Sequence, residues 1–162
     1  VERVKPVLVL CLGQAGGRAG ISLEQVGINL REASIPDNAG AQPSGEPVVP
    51  GGPGAYFTTL PIKRMCMRIR EMGIPASISY SAGTYVCNDL LYSLLDELEK
   101  RHPGIRGGFI HVPYSPEQAA GKAGPPASLA VSLAVSGIQA ALEEALLPDG
   151  KGEEIPPQGA LD

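Results

Sequence analysis

Three side chains in this sequence could together break an amide bond: a thiol, an imidazole and a carboxylate. Cys87 ends the segment SAGTYVC, His111 lies in the apolar segment GFIHV, and Glu24 follows the glycine-rich segment GQAGGRAG. A cysteine paired with a histidine acts as a nucleophile, and a carboxylate can orient the imidazole. The residue types therefore predict nucleophilic catalysis if the fold brings the three side chains together.

Cys87 is the best candidate nucleophile among the three cysteines. It follows Gly83 in a predicted strand-to-helix turn, where backbone N–H groups and the helix dipole favour a thiolate. Cys11 lies in an apolar strand pattern and Cys66 in a helix pattern, so both are interpreted as small buried hydrophobic residues. The simpler interpretation of His111 is likewise a buried core histidine, since its neighbours in the sequence are apolar.

Glu24 and His102 also have simpler interpretations. By itself, Glu24 would be a surface carboxylate. His102 closes a charged helix end, where it interacts with the last carbonyl groups. Only the position of these residues in the fold can assign them a chemical role.

Strand and helix patterns alternate along the chain. The predicted strands are Val7–Leu12, Ala76–Tyr80 and Gly108–Val112, and the predicted helices are Pro61–Met72, Cys87–His102 and Ala127–Leu147. This order predicts an α/β fold with a mostly parallel, twisted sheet and helices on both faces. Ligands bind beyond the carboxyl ends of strands in such sheets, so we expect Glu24, Cys87 and His111 at one edge.

The length of 162 residues fits a single domain. We expect that domain over residues 1–148 and a solvated C-terminal tail over residues 149–162. Two long Gly/Pro-rich loops, Ser34–Ala55 and Pro113–Pro126, interrupt the regular patterns. The chain opens with Val1 directly before a strand pattern, which indicates that the domain is incomplete at its N-terminus.

Composition and motifs exclude several classes of function. A net charge of −4 and an aromatic content of 4% argue against nucleic-acid binding, and no apolar run is long enough for a membrane span. Three cysteines do not make a disulfide scaffold, so we expect reduced thiols and a cytoplasmic protein. The glycines of Gly13–Gly20 match no phosphate-binding motif, and the cysteines and histidines lack the spacing of metal ligands. The motifs therefore favour neither a phosphate-binding loop nor a metal site.

Several segments in a fixed order resemble one enzyme family, the pyrrolidone-carboxylate peptidases, also called pyroglutamyl peptidase I. The segments that carry the resemblance are Gly13–Asn29, Ile35–Pro43, Tyr56–Lys63, Gly73–Gly83, Ser81–Asn88 and Gly108–Gln118. The resemblance implies a three-layer α/β/α sandwich and a cysteine peptidase that removes an N-terminal pyroglutamyl residue from peptides. It also implies a cytoplasmic homo-oligomer, a dimer or tetramer, that works without a cofactor.

The resemblance assigns site residues one by one. Glu24, Cys87 and His111 match the catalytic glutamate, cysteine and histidine of the family, and Gln14 and Val86 match positions that line the lactam ring. Ser34 stands where many members carry arginine. The family also has a further N-terminal strand, loop and helix that bear aromatic residues, and we expect these upstream of Val1.

Two alternatives remain at this level. The first is another Cys–His–Glu amidohydrolase, similar to a glutamine amidotransferase. The second is a non-catalytic, truncated relative that acts in binding or assembly.

Overall fold

Short strands and helices alternate along the protein, and the structure, a computed structural model, describes residues 1–148. The predicted tail, residues 149–162, lies outside the described residues. The strands are β1 (Leu8–Gln14), β2 (Ile21–Glu24), β3 (Val26–Ile28), β4 (Arg31–Glu32), β5 (Ser44–Glu46), β6 (Ala55–Phe57), β7 (Ala76–Ser79) and β8 (Arg106–Val112). The helices are α1 (Ile62–Glu71), α2 (Val86–Arg101), α3 (Pro116–Ala120) and α4 (Val131–Leu146).

The main sheet has four strands in the order β1-β8-β2-β7, and two-stranded sheets pair β3 with β6 and β4 with β5. The predicted α/β class, with a mostly parallel sheet flanked by helices, is confirmed. The sheet is nevertheless mixed, because β2 runs antiparallel to β8 and places Ser22 opposite His111.

The predicted helices agree with α1, α2 and α4 to within a few residues, and each of the three predicted strands is present. Strand β2 was not expected. It is only four residues long, and its partner β8 lies far away along the chain, so local pattern carries little information about it.

Residue contacts group the chain into two compact units. Unit 1 comprises Val1–Cys11, Glu24–Leu60 and Tyr80–Phe109, and the described part of unit 2 comprises Leu12–Leu23, Pro61–Ser79 and residues 110–148. A single domain over residues 1–148 therefore stays a prediction.

In unit 1, helix α2 lies closely against strand β3. A Cβ atom built on Gly27 would lie 2.9 Å from the backbone nitrogen of Tyr92, so only glycine allows this approach. The hydroxyl of Tyr92 donates a hydrogen bond to the carbonyl of Pro53 over 2.6 Å. Helix α2 is thus held along its first two turns.

In unit 2, helices α1 and α4 enclose an aliphatic core. The buried residues of α1 recur at helical spacing: Ile62, Met65, Cys66 and Ile69. Gly137 of α4 leaves space for the Ile21 side chain, whose Cδ1 would lie 2.6 Å from a Cβ at that position. Arg64 and Glu144 form an ion pair of 3.3 Å between the two helices.

Candidate active site

Cys87 is the second residue of helix α2, and it is partly buried. The preceding turn contains Gly83 with φ of +82°, a conformation that L side chains rarely adopt. The Cys87 side chain packs against the buried cluster of Leu91, Leu95 and Phe109. The predicted position of this thiol, after β7 and at the start of a helix, is therefore confirmed.

Hydrogen bonds connect the first turn of α2 to the segment that includes β3 and β4. Asn88 Oδ1 accepts from the N–H of Ile28 over 2.9 Å, and Asn88 Nδ2 donates to the carbonyls of Ile28 (2.9 Å) and Leu30 (3.1 Å). Arg31 Nε lies 2.7 Å from Asp89 Oδ2. The two residues that follow the thiol are thus tied to the segment of residues 28–31.

Sequence reasoning missed Asn88 and the Arg31–Asp89 pair. A signal for Asn88 exists, because its spacing to Leu91, Tyr92 and Leu95 places it on the buried face of α2. An amide on an otherwise apolar helix face predicts a polar partner in the core. Nothing comparable marks Arg31 in advance.

His111 lies near the end of β8, and only 4% of it is exposed. Its cross-strand partner is Ser22, which is also buried. An imidazole at this depth is shielded from bulk water. Burial fits both interpretations of this residue, the core histidine and the catalytic one.

Glu24 is the last residue of β2, and it is fully buried, so the surface interpretation of this carboxylate is wrong. The strand-end argument for a common edge does not apply to Glu24, so its place beside His111 stays a prediction. Because β2 is antiparallel to β8, the carboxyl ends of these two strands point in opposite directions. The β2–β8 register pairs Leu23 with Ile110, and continuing it by one residue places Glu24 opposite Phe109.

Glu24 and Cys87 belong to unit 1, and His111 belongs to unit 2. Their convergence in one site therefore stays a prediction.

The two residues expected to line the lactam ring lie at element ends. Gln14 is the last residue of β1, and its Nε2 donates to Gln118 Oε1 over 2.6 Å. Gln118 Oε1 also accepts from the N–H of Ser115 over 3.0 Å. Val86 is the first residue of α2 and is 48% exposed.

The other two thiols lie in different surroundings. Burial raises the pKa of the Cys11 thiol. Cys66 is fully buried, and desolvation raises the pKa of its thiol although Arg70 acts in the opposite direction. Cys66 matches the interpretation as a small buried hydrophobic residue, whereas Cys11 is only partly buried. The imidazole of His102 lies 3.6 Å from the carboxylate of Glu97 at the end of α2.

Within residues 1–148 there is no group of three or more His, Cys, Asp or Glu side chains that could hold a metal ion. In the same part of the chain, no helix combines the length and apolar character needed to cross a membrane.

Comparison with known proteins gives consistent matches. A family model described as pyroglutamyl peptidase matches residues 1–147. The chain is 51% identical to the pyrrolidone-carboxylate peptidase of Bacillus amyloliquefaciens over 156 residues, 94% of this chain and 73% of that protein. It is 54% identical to the Yersinia pestis protein of the same name over 136 residues, 84% of this chain and 63% of that protein.

Solved structures also match most of this chain. The crystal structure of pyroglutamyl peptidase I from B. amyloliquefaciens matches with a TM-score of 0.86 at 51% identity, covering 89% of this chain and 68% of that chain. A mutant pyrrolidone carboxyl peptidase from Pyrococcus furiosus matches with a TM-score of 0.86 at 42% identity, covering 90% and 71%. The chain therefore belongs to the pyroglutamyl peptidase family.

Proposed function

We infer that the protein is a cysteine peptidase that removes an N-terminal pyroglutamyl residue from peptides, with Cys87 as its nucleophile. The observation that carries this inference is the family match over residues 1–147, which includes a cysteine at the start of helix α2. The proposed reaction is thiol-mediated acyl transfer to water, and it uses side chains of the protein alone.

The substrate's chemistry explains why a dedicated peptidase is needed. A pyroglutamyl terminus is a closed, uncharged lactam, so a site built to bind a terminal ammonium group would not hold it. A small pocket with a few polar contacts suits a neutral ring. We propose that Gln14 and Val86 line this pocket. The amide of Gln14 and the exposed side chain of Val86 supply a polar and an apolar surface.

In the proposed mechanism, the Cys87 thiolate attacks the carbonyl carbon that joins pyroglutamate to the next residue. A C–S bond forms, and the carbonyl oxygen becomes an oxyanion. The oxyanion collapses and breaks the C–N bond while the His111 imidazolium protonates the leaving amine. His111 then takes a proton from water, which attacks the thioester and releases pyroglutamate and the thiolate.

The start of helix α2 supports a role in oxyanion stabilisation. The first N–H groups of a helix have no intrahelical partner, and the N-cap residue Tyr85 supplies no side-chain hydrogen bond to them. We propose that the backbone N–H of Cys87 donates to the developing oxyanion. Loss of such a donor typically costs about 3–4 kcal/mol of transition-state stabilisation.

For Glu24 we propose that its carboxylate accepts a hydrogen bond from the imidazole and orients it. Two features of the β2–β8 ladder support this role. Side chains alternate along a strand, so Glu24 shares a sheet face with Ser22, and Ser22 is the cross-strand partner of His111. In addition, Glu24 is fully buried, where a hydrogen bond is stronger than in water.

A substrate panel tests the proposed activity against both alternatives. We expect the protein to release aniline from a pyroglutamyl anilide but not from an alanyl anilide, and to release no ammonia from glutamine. Ammonia release from glutamine would favour the amidotransferase-like alternative. Turnover of none of these compounds would favour the non-catalytic alternative.

We also propose that the protein is a cytoplasmic homo-oligomer, a dimer or a tetramer. Its three free thiols suit a reducing compartment. Sedimentation equilibrium would give the oligomeric state directly, and a monomer at all concentrations would contradict the proposal.

A further inference from the structure

Asn88 is a fully buried amide directly after the proposed nucleophile. Its side chain makes three hydrogen bonds with the backbone at Ile28 and Leu30, one accepted and two donated. Both the N–H and the carbonyl of Ile28 bond to this one amide. Asn88 therefore pairs with β3 as a neighbouring strand would, although it belongs to a helix.

These bonds restrict how the first turn of α2 can move. The amide plane fixes the distance and the rotation of the helix relative to the backbone at residues 28–30. Further along α2, the close contact at Gly27 and Tyr92 fixes the helix on the same strand. A helix held at two successive turns cannot rotate about its axis, so the direction of the Cys87 Cα–Cβ bond is fixed as well.

We propose that Asn88 is a positioning residue that holds the Cys87 thiol in its reactive orientation. This inference rests on the proposed function, in which Cys87 is the nucleophile. Asn88 touches no reacting atom, and it acts through the backbone of the helix turn that it shares with Cys87. A displacement of about 1 Å in a reacting group can lower a rate on the order of a hundredfold.

The chain offers a closely matched control in Asn29. Its Oδ1 accepts from the N–H of Val49 over 2.8 Å, and its Nδ2 donates to the carbonyls of Val49 (2.9 Å) and Gly52 (3.2 Å). Like Asn88, Asn29 accepts one hydrogen bond from the backbone and donates two to it. Asn29 itself lies in the segment of residues 28–30 that Asn88 contacts. Those bonds hold the loop at residues 49–52 instead of helix α2.

The experiment compares Asn88→Ala with Asn29→Ala in the full protein. The readouts are thermal stability, kcat and KM for a pyroglutamyl anilide, and the rate at which iodoacetamide alkylates Cys87. We expect both variants to lose stability, since each removes three hydrogen bonds to partly buried backbone. Only Asn88→Ala should lower kcat, by at least about tenfold with little change in KM, and change the alkylation rate of Cys87.

Equal effects of the two substitutions on kcat and on alkylation would overturn the proposal, and so would an unchanged kcat in Asn88→Ala. If Asn88→Ala does not fold, Asn88→Ser replaces it, because the hydroxyl keeps one polar group at the site. Absence of pyroglutamyl hydrolysis in the unsubstituted protein would contradict the proposed function instead. The alkylation readout still reports on thiol positioning in that case.

Discussion

At the scale of single residues, the three thiols are distinguished by their surroundings. Cys66 is fully buried, and burial raises the pKa of both Cys11 and Cys66. Cys87 is partly exposed in the first turn of α2. Reactivity towards electrophiles should therefore be concentrated at Cys87.

Alkylation at neutral pH tests this difference. We expect iodoacetamide to modify Cys87 first, because the thiolate is the reactive form and burial raises the pKa of the Cys11 and Cys66 thiols. Peptide mass spectrometry after short exposures would give the order. Faster modification of Cys66 than of Cys87 would contradict the assignment of the nucleophile.

Tyr56 connects β6 to α2 through a pH-dependent hydrogen bond. Its hydroxyl donates to Asp96 Oδ1 over 2.9 Å. Burial first, and then this bond and the charge of Asp96, raise the pKa of Tyr56 from 10.0 to about 12. A group whose pKa is higher in the folded state stabilises the fold fully below its unfolded pKa. That contribution is lost as the pH rises through about 12.

The substitution Tyr56→Phe tests this linkage. We expect the unfolding free energy of the unsubstituted protein to fall more steeply between about pH 10 and pH 12 than that of the variant. Urea unfolding at a series of pH values would measure the difference. Parallel curves for the two proteins would show that Tyr56 does not contribute to the alkaline limit of stability.

At the scale of elements, the position of α2 depends on its close contact with β3. A Cβ on Gly27 would lie 2.9 Å from Tyr92 N and 3.1 Å from Tyr92 Cα, and backbone atoms cannot move aside as a side chain can. We expect Gly27→Ala to lower the unfolding free energy by about 1–3 kcal/mol. It should also lower kcat, because α2 carries Cys87.

Gly54→Ala is the matched control, since a Cβ there would meet no atom within 4 Å. Urea unfolding and the anilide assay on both variants would measure the effect. If the two substitutions changed stability and activity equally, the contact between α2 and β3 would not be what positions the helix.

The helices were predictable because the sequence marks their ends. Pro61 and Gly73 bracket α1, and Pro103 follows α2, so the boundaries are local signals. Strand β2 has no such markers, and its existence depends on pairing with β8. Helix α3 does carry a start signal, the capping box formed by Ser115 and Gln118, but the Gly/Pro content of its surroundings obscured it.

At the scale of the whole molecule, a site must be assembled from residues that are distant in sequence. The strand patterns correctly predicted where two site residues lie along the chain. Cys87 follows β7, and His111 lies near the end of β8. Glu24 does not follow this pattern, because strand β2, which it ends, is antiparallel to β8. The resemblance of short motifs selected Glu24 independently of its position after a strand.

The central claim is that Cys87 forms the thioester through which pyroglutamate is released. The most direct test compares pyroglutamyl anilide hydrolysis by the unsubstituted protein, Cys87→Ser and Cys66→Ser, with circular dichroism as a check of folding. The account predicts that folded Cys87→Ser loses at least about a thousandfold in kcat, whereas Cys66→Ser keeps its activity. A folded Cys87→Ser protein with activity near that of the unsubstituted protein would contradict the account.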